Sequence, residues 1–425
     1  MSEKLLIKNA HIIGAGEPID GDILVKDGKI SAIGSFDVPS CCDVIDASGL
    51  VAAPGLIDLH VHLRDPGLAH KEDIISGCKA AAAGGVTGVV AMPNTKPAVD
   101  STETLDYILQ KSKDAAAKVY QVAAVTKSLS GEELVDFDAL SDAGACAFSD
   151  DGEPVKTAQF VIEALKAAKR CGKPFLAHCE EKSLALGGLM NEGEISEKLG
   201  VKGIPGASED IGTAREIAAA MSTGTKVHIC HVSTAESVNI IRAAKAVGAE
   251  VTAETCPHYF ALTEEQLLSR DADYRMNPPL RTEKDRLAII EGIADGTIDA
   301  IATDHAPHAE SEKADFLHAP NGSVGIETSL AAGITYLVNT GAITLPKLID
   351  MMSTVPAKIL GVEGGSLSVG SAADIVLFSE TERWTVDPDK LHGKSKNTPF
   401  KGIELCGRVK YTILNGKKVY EDEVL

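Results

Sequence analysis

Eight short apolar runs recur at roughly even spacing through the middle of the chain, and each is followed by a stretch with helical periodicity. The runs are Leu56 to His62, Val86 to Met92, Val119 to Val125, Ala145 to Ser149, Pro174 to His178, Val227 to His231, Glu250 to Thr255 and Asp299 to Thr303. Between them lie Ala-, Leu-, Glu- and Lys-rich segments such as Thr157 to Arg170, Asp210 to Met221, Ala235 to Val247 and Lys284 to Ile293. Parallel strands need a long crossover, which a helix supplies, so this alternation predicts βα units. Eight of them predict an α/β fold of the TIM-like (β/α)8 barrel type rather than an open sheet.

The two ends of the chain read differently. Leu5 to Asn9, Asp22 to Lys26, Lys29 to Ile33 and Val44 to Asp46 are short strands punctuated by turns such as Asp27-Gly28. From about Gly365 the same style returns, with Ala373 to Phe378, Val409 to Leu414 and the turn Asn415-Gly416. We expect a small β-sandwich domain built from both ends, and hence a division into 1–54, 55–364 and 365–425.

A barrel concentrates chemistry at the C-terminal ends of its strands. The first run ends in His60 and His62, the second leads to Asn94, and the fourth ends in Asp150 and Asp151. The fifth ends in His178, the sixth in His231 and the eighth in Asp304 and His305. Residues two apart on a strand share a face, so His60 and His62 can reach one cation. A lone histidine is more often a satisfied core or surface residue. Four at strand ends with an aspartate instead make a ligand set suited to zinc or another divalent ion. Two such ions need an anionic bridge, for which Asp150 and Asp151 are both candidates.

With 61 acidic and 41 basic residues the chain carries a formal charge of −20, which argues against nucleic-acid or acidic-membrane partners. A small anionic substrate is still admitted, because local cations decide that. Arg64 offers a planar fork for a carboxylate, Asn94 an amide donor and His308 a third contact. The plainer alternative for Arg64 is a rim salt bridge with Asp65 or Glu72, and for Asn277, before Pro278, a turn. The polar segment from Pro307 to Gly325 has the composition of a lid or of a surface loop. Met1 to Gly14 holds no apolar stretch of signal-peptide length, and nothing approaches a membrane span, so a cytoplasmic protein is expected. The nine cysteines form no Cys-x-x-Cys pair, and Cys146, Cys179, Cys230 and Cys256 lie in apolar runs, as reduced buried thiols do.

Several longer segments together resemble dihydroorotases of the long bacterial type, within the amidohydrolase superfamily. They are Pro54 to Gly67, Ala91 to Thr95, Phe148 to Gly152, Ala177 to Glu180, His231 to Thr234, Glu254 to Tyr259, Met276 to Arg281 and Ala302 to His308. The His-x-His opening marks only the superfamily, whereas His62 to Arg64, Met92 to Asn94, Asn277 and His308 mark dihydroorotases. The resemblance implies a zinc enzyme with one or two ions per subunit. It places His60, His62 and Asp304 on one side, His178 and His231 on the other, and Asp151 rather than Asp150 between them.

Substrate contacts would come from His62, Arg64, Asn94, Asn277, His308, Asn321 and Gly322. The family usually carries an aromatic residue where Asn321 stands, so backbone contacts are expected of this loop. The implied reaction is the reversible cyclisation of N-carbamoyl-L-aspartate to L-dihydroorotate and water in pyrimidine biosynthesis. A zinc-generated hydroxide would act in it, with Asp304 as general acid and base. A homo-oligomer such as a dimer, and association with aspartate transcarbamoylase, are also implied.

Two rival readings compete. Hydantoinases, dihydropyrimidinases and allantoinases share the opening histidine pair, but usually bridge their metals with a carboxylated lysine and need no carboxylate anchor. A catalytically silent partner of aspartate transcarbamoylase would be expected to have lost ligands, and here each ligand position holds a competent residue.

Overall fold

The computed structural model describes residues 4–14, 16–39 and 42–422. The first strands belong to the N-terminal segment: β1 (Lys4–Ile12), β2 (Ile19–Lys26), β3 (Lys29–Gly34), β4 (Asp43–Asp46) and β5 (Val51–Pro54). The barrel strands follow: β6 (Leu56–Val61), β7 (Val86–Ala91), β8 (Lys118–Ala123), β9 (Ala147–Phe148) and β10 (Leu176–Ala177). After a short parallel pair, β11 (Met190–Asn191) and β12 (Gly203–Ile204), come β13 (Val227–Ile229), β14 (Val251–Thr255) and β15 (Ala300–Ile301). The chain ends with β16 (Ile375–Thr385), β17 (Glu404–Leu414) and β18 (Lys417–Glu421).

Two parallel sheets, β6-β7-β8-β9 and β10-β13-β14-β15, are joined at both edges. Phe148 bridges to Phe175 at one seam and Val61 to His305 at the other, both parallel, so the eight strands close into a ring. All eight apolar runs of the sequence are represented. The helices between them include Ala158–Arg170, Ala207–Thr223, Ala235–Ala246 and Glu283–Asp295. Thr157, Thr234 and Thr282 cap three of these through side-chain oxygens that accept the N3 amide hydrogen. Inside the ring an apolar cluster including Ile57, Leu59, Val90, Leu176, Cys230 and Ala302 fills the barrel.

Both chain ends build one eight-stranded sheet in the order β18-β17-β16-β5-β1-β2-β3, with β4 also on β1. It forks at β1, whose Leu5 to Lys8 pair with β4 while His11 and Ile12 pair with β5, and it encloses its own apolar core. Here β16 and β17 run longer than the expected Ala373 to Phe378 and Val409 to Leu414. Register shifts let the pairing pass through polar stretches that break the alternation. The link from sheet to barrel is a single residue, Gly55, between β5 and β6. A side chain there would collide with Thr87, so only glycine lets the strand cross.

Among the described residues eight cysteines are free thiols, and Cys179, Cys230 and Cys256 are buried. Cys146 departs from expectation in being only half-buried, because it precedes the two-residue strand β9 instead of lying within it. No helix among the described residues is long and apolar enough to cross a membrane. Residues 1–3, part of the stretch read for a signal peptide, lie outside the described residues.

Candidate active site

The six residues expected as ligands meet at the C-terminal rim of the ring. Asp151 lies at the centre: its Oδ1 is 3.2 Å from His60 Nε2, 3.4 Å from His178 Nδ1 and 3.5 Å from His231 Nε2, and its Oδ2 is 3.6 Å from His62 Nε2. Asp304 Oδ1 lies 2.9 Å from His62 Nε2 and 3.8 Å from His60 Nε2. Two triads with the composition and spacing to hold a cation result, His60-His62-Asp151 and Asp151-His178-His231, sharing Asp151. Every one of these groups is buried.

Asp150 faces the other way. It accepts hydrogen bonds from the Val125 amide at 2.7 Å, the Thr126 amide at 3.0 Å and the Thr126 hydroxyl, so it pins the end of β8. Of the two adjacent carboxylates, the chain brings Asp151 to the histidines.

The electrostatics suit a metal. His60 Nε2, Asp151 Oδ1 and His178 Nε2 are buried without a hydrogen-bond partner, which is costly unless something else binds them. Burial opposes charge on Asp151, yet His60 beside it and hydrogen bonds from His178 and His231 hold its carboxyl well below the ordinary range. Burial likewise opposes charge on His178, but its contacts with Asp151 and Glu180 raise it to about 10. Lone pairs that attract a proton this strongly are equally available to a divalent cation. The imidazoles are also oriented for it. His62 donates from Nδ1 to Asn94 Oδ1 at 2.8 Å and His60 Nδ1 lies 3.1 Å from Glu254 Oε1, which leaves each Nε2 facing the carboxylates.

Three of the rim residues, Arg64 at φ 61°, His231 at φ 36° and Asp304 at φ 47°, hold the left-handed conformation. Such strain in residues with side chains collects where geometry is prescribed by function. Asp58 steadies the rim beneath them: it accepts from the amide and hydroxyl of Thr303 at 3.0 and 2.5 Å, and from the His60 amide at 3.2 Å.

A cavity of about 250 Å³ opens over the triads and is lined by Arg64, Asn94, Asn277, His308, Asn321 and Gly322, together with His62 and Asp304. All residues expected to contact substrate therefore share one chamber with five of the six expected ligands, His62, Asp151, His178, His231 and Asp304, while His60 lies beneath it. Arg64 is buried, and among the described residues no carboxylate comes within 4.0 Å of its guanidinium. The salt bridges considered from sequence are absent because the partners are taken. Asp65 pairs with Lys111 at 2.7 Å, and Glu72 accepts from Ser76 and the Lys394 amide. Arg64 donates to the Pro307 carbonyl at 3.2 Å, and burial lowers its pKa to about 10. Asn277 donates to Glu180 at 3.1 Å, so its side chain is fixed at the rim rather than spent on a turn.

His308 is held neutral. Burial and the cations Arg64, Lys71 and Lys313 push its pKa down to about 2. Lys71 donates to its Nδ1 at 3.2 Å, so Nε2 carries the proton and donates to the Asn321 carbonyl at 2.8 Å. A substrate carboxylate would compete for that hydrogen.

The segment 307–325 is tied down rather than hanging free. The Lys313 ammonium donates to the carbonyls of Arg275, Pro320 and Gly322 at 3.3, 3.0 and 2.9 Å. Asn397, from the C-terminal part of the chain, accepts from the His308 amide at 3.1 Å and donates to the Gly322 carbonyl at 3.0 Å. Gly322 itself, at φ 132°, lies so close to Ala306 and His308 that a side chain would strike both.

Sequence reasoning missed Glu254, Asp58, Lys313 and Asn397 as contributors to the site. A carboxylate inside an otherwise apolar strand was a legible signal for the first two. Nothing local marked the other two, whose partners are remote in sequence.

The chain matches the family described as "Dihydro-orotase-like" over residues 49–237 and the "Amidohydrolase family" over residues 202–420. It is 49% identical to a dihydroorotase of Geobacter metallireducens, covering 98% of this chain and 99% of that one. To a dihydroorotase of Clostridioides difficile it is 47% identical, with the same coverage. Among solved structures it is similar to the L-hydantoinase (dihydropyrimidinase) of Arthrobacter aurescens, with TM-score 0.89 and 26% identity over 100% of this chain and 98% of that one. A D-hydantoinase (dihydropyrimidinase) from Thermus sp. gives 0.83 and 29%, over 98% and 95%.

Proposed function

The chain belongs to the dihydroorotase family of the amidohydrolases, and we propose that its rim site interconverts N-carbamoyl-L-aspartate and L-dihydroorotate. The observation that carries this substrate is Arg64, a buried guanidinium that has no carboxylate partner among the described residues and stands on the wall of the chamber lined by His62, Asp151, His178, His231 and Asp304. A cyclic amide with a carboxylate that takes no part in bond changes supplies what Arg64 lacks. The remaining donors of its fork and the Asn94 amide hold that group, while Asn277, His308, Asn321 and Gly322 shape the wall around the ring.

We assign His60, His62, Asp151, His178, His231 and Asp304 as metal ligands and zinc as the ion, one or two per subunit, since imidazoles with carboxylates suit it. When bound, such ions supply Lewis acidity toward the reacting carbonyl and acidify a water. Asp304 is the catalytic base. Burial works against its charge, but His62, His60 and His231 around it together outweigh this and bring its carboxyl down to about 2, so it is ionised. In hydrolysis Asp304 takes a proton from the attacking water; the carbonyl C–N bond breaks, and the same proton passes to the departing ring nitrogen. In ring closure Asp304 accepts the proton of the ureido nitrogen as it attacks the side-chain carboxyl carbon. Asp304 passes that proton to the departing oxygen, which with one further proton from solvent leaves as water as the C–O bond breaks.

Side-by-side assays with dihydroorotate, hydantoin, dihydrouracil and allantoin test the reading. We expect turnover of dihydroorotate, abolished by chelation and restored by zinc. Arg64→Gln is expected to lower kcat/KM for dihydroorotate by roughly 100-fold, the cost of losing a buried charge-assisted anchor. Activity on hydantoin alone would reject the assignment. We further propose the three-part division at residues 54 and 364, a cytoplasmic location, and a homodimer able to associate with aspartate transcarbamoylase. The division rests on the strand-rich chain ends and the one sheet they build, and the location and associations rest on the family resemblance.

A further inference from the structure

We infer that Glu254 and His228 form a positioning chain inside the barrel that sets the tautomer of His60 and tightens its hold on a metal. This rests on the metal reading of the rim. Glu254 lies on β14 and His228 on the neighbouring strand β13, both facing the interior below the ligands. Glu254 and the His60 side chain are fully inaccessible, and His228 is 2% exposed. One oxygen of Glu254 is hydrogen-bonded to His60 Nδ1 at 3.1 Å, and the other stands 3.2 Å from His228 Nε2 as a charge contact without hydrogen-bond alignment. The chain is anchored at its far end, where His228 Nδ1 lies 2.9 Å from the Thr252 hydroxyl.

An ionised carboxylate in a dry barrel is costly unless both oxygens find positive or strongly donating groups. Two imidazoles flank Glu254 and no lysine or arginine pairs with it among the described residues. Accepting the Nδ1 hydrogen fixes the lone pair of His60 on Nε2, the atom that faces Asp151 and Asp304. The negative charge also makes that lone pair more basic, and a cation on Nε2 would in return compensate the buried carboxylate. His62 has only the neutral amide of Asn94 behind it, so the two histidines of the opening pair are not equivalent. His60 is the more strongly supported of the two.

The test uses the full chain stripped of metal and titrated with zinc against a chromophoric chelator, with thermal melting of the metal-free protein in parallel. Glu254→Gln keeps the shape and removes the charge. It is expected to weaken the tighter zinc site by about 10- to 100-fold, the usual cost of losing a ligand's outer partner. His228→Gln leaves Glu254 in place and is expected to shift affinity the same way by a smaller factor, which keeps the test open should the first variant fold poorly. A merely structural role would lower the metal-free Tm and leave zinc affinity unchanged. Equal zinc affinity in the wild type and both variants overturns the inference alone. Failure of the wild type to take up zinc overturns it together with the metal reading.

Discussion

Asp150 and Asp151 are neighbours of identical chemistry, both nearly inaccessible, and they point to opposite tasks. The first is consumed by the backbone at the end of β8, where burial raises its pKa to about 6 despite the hydrogen bonds it accepts. The second carries the shared corner of the two triads that could hold a cation. Asp150→Ala should cost about 1–3 kcal/mol in unfolding free energy, by orphaning two buried amides, and leave zinc stoichiometry intact. Asp151→Ala should remove zinc binding and also lower the metal-free Tm, because the buried carboxylate that pairs with His60, His178 and His231 is lost. Denaturation and metal analysis of both variants would exchange the roles if the pattern reversed. The apolar run they both follow could not by itself separate them; the resemblance to dihydroorotases chose Asp151, and it is Asp151 that the structure brings to the histidines. The histidines were legible because each ends a strand run, whereas Lys313 and Asn397 act through backbone carbonyls that carry no sequence signature.

At the level of elements, the eight barrel runs could be read because each is apolar, bounded by turn residues and followed by a helical pattern. Strand β5 was not read as one, since Val51 to Pro54 is buried throughout, lacks alternation and ends in proline. The substrate loop shows a different kind of element, ordered by one ammonium. Burial lowers the pKa of Lys313 to about 8, and its three carbonyl acceptors need all three of its hydrogens. Above that pH the amine has two N–H donors left, so the grip on Pro320 and Gly322 loosens and kcat/KM should fall along a limb near pH 8. Lys313→Met should lower activity and abolish that limb, read from pH–rate profiles. The effect on stability has the opposite sign. Between about 8 and the unfolded value of 10.5 the unfolded chain binds more protons, so this group makes stability rise with pH through that window. Denaturant midpoints across the window would check it.

The whole molecule is laced together at the site. Lys394 and Ser395 bond to the segment after β6, through the Glu72 carboxylate and the Lys71 carbonyl, and Asn397 spans the loop from Ala306 to Gly322. A part of the chain assigned by sequence to the small terminal domain thus shapes the cavity at the barrel rim. Asn397→Ala should lower kcat/KM about 10-fold, the loss of a buried contact or two, while zinc affinity stays at the wild-type value. Equal kinetics in the variant would remove Asn397 from the site.

That arrangement also has a temporal meaning. All six candidate ligands lie between His60 and Asp304, so they leave the ribosome well before Asn397 does. In the order of synthesis the candidate ligands are complete first, and the residue that spans the chamber above them is added afterwards.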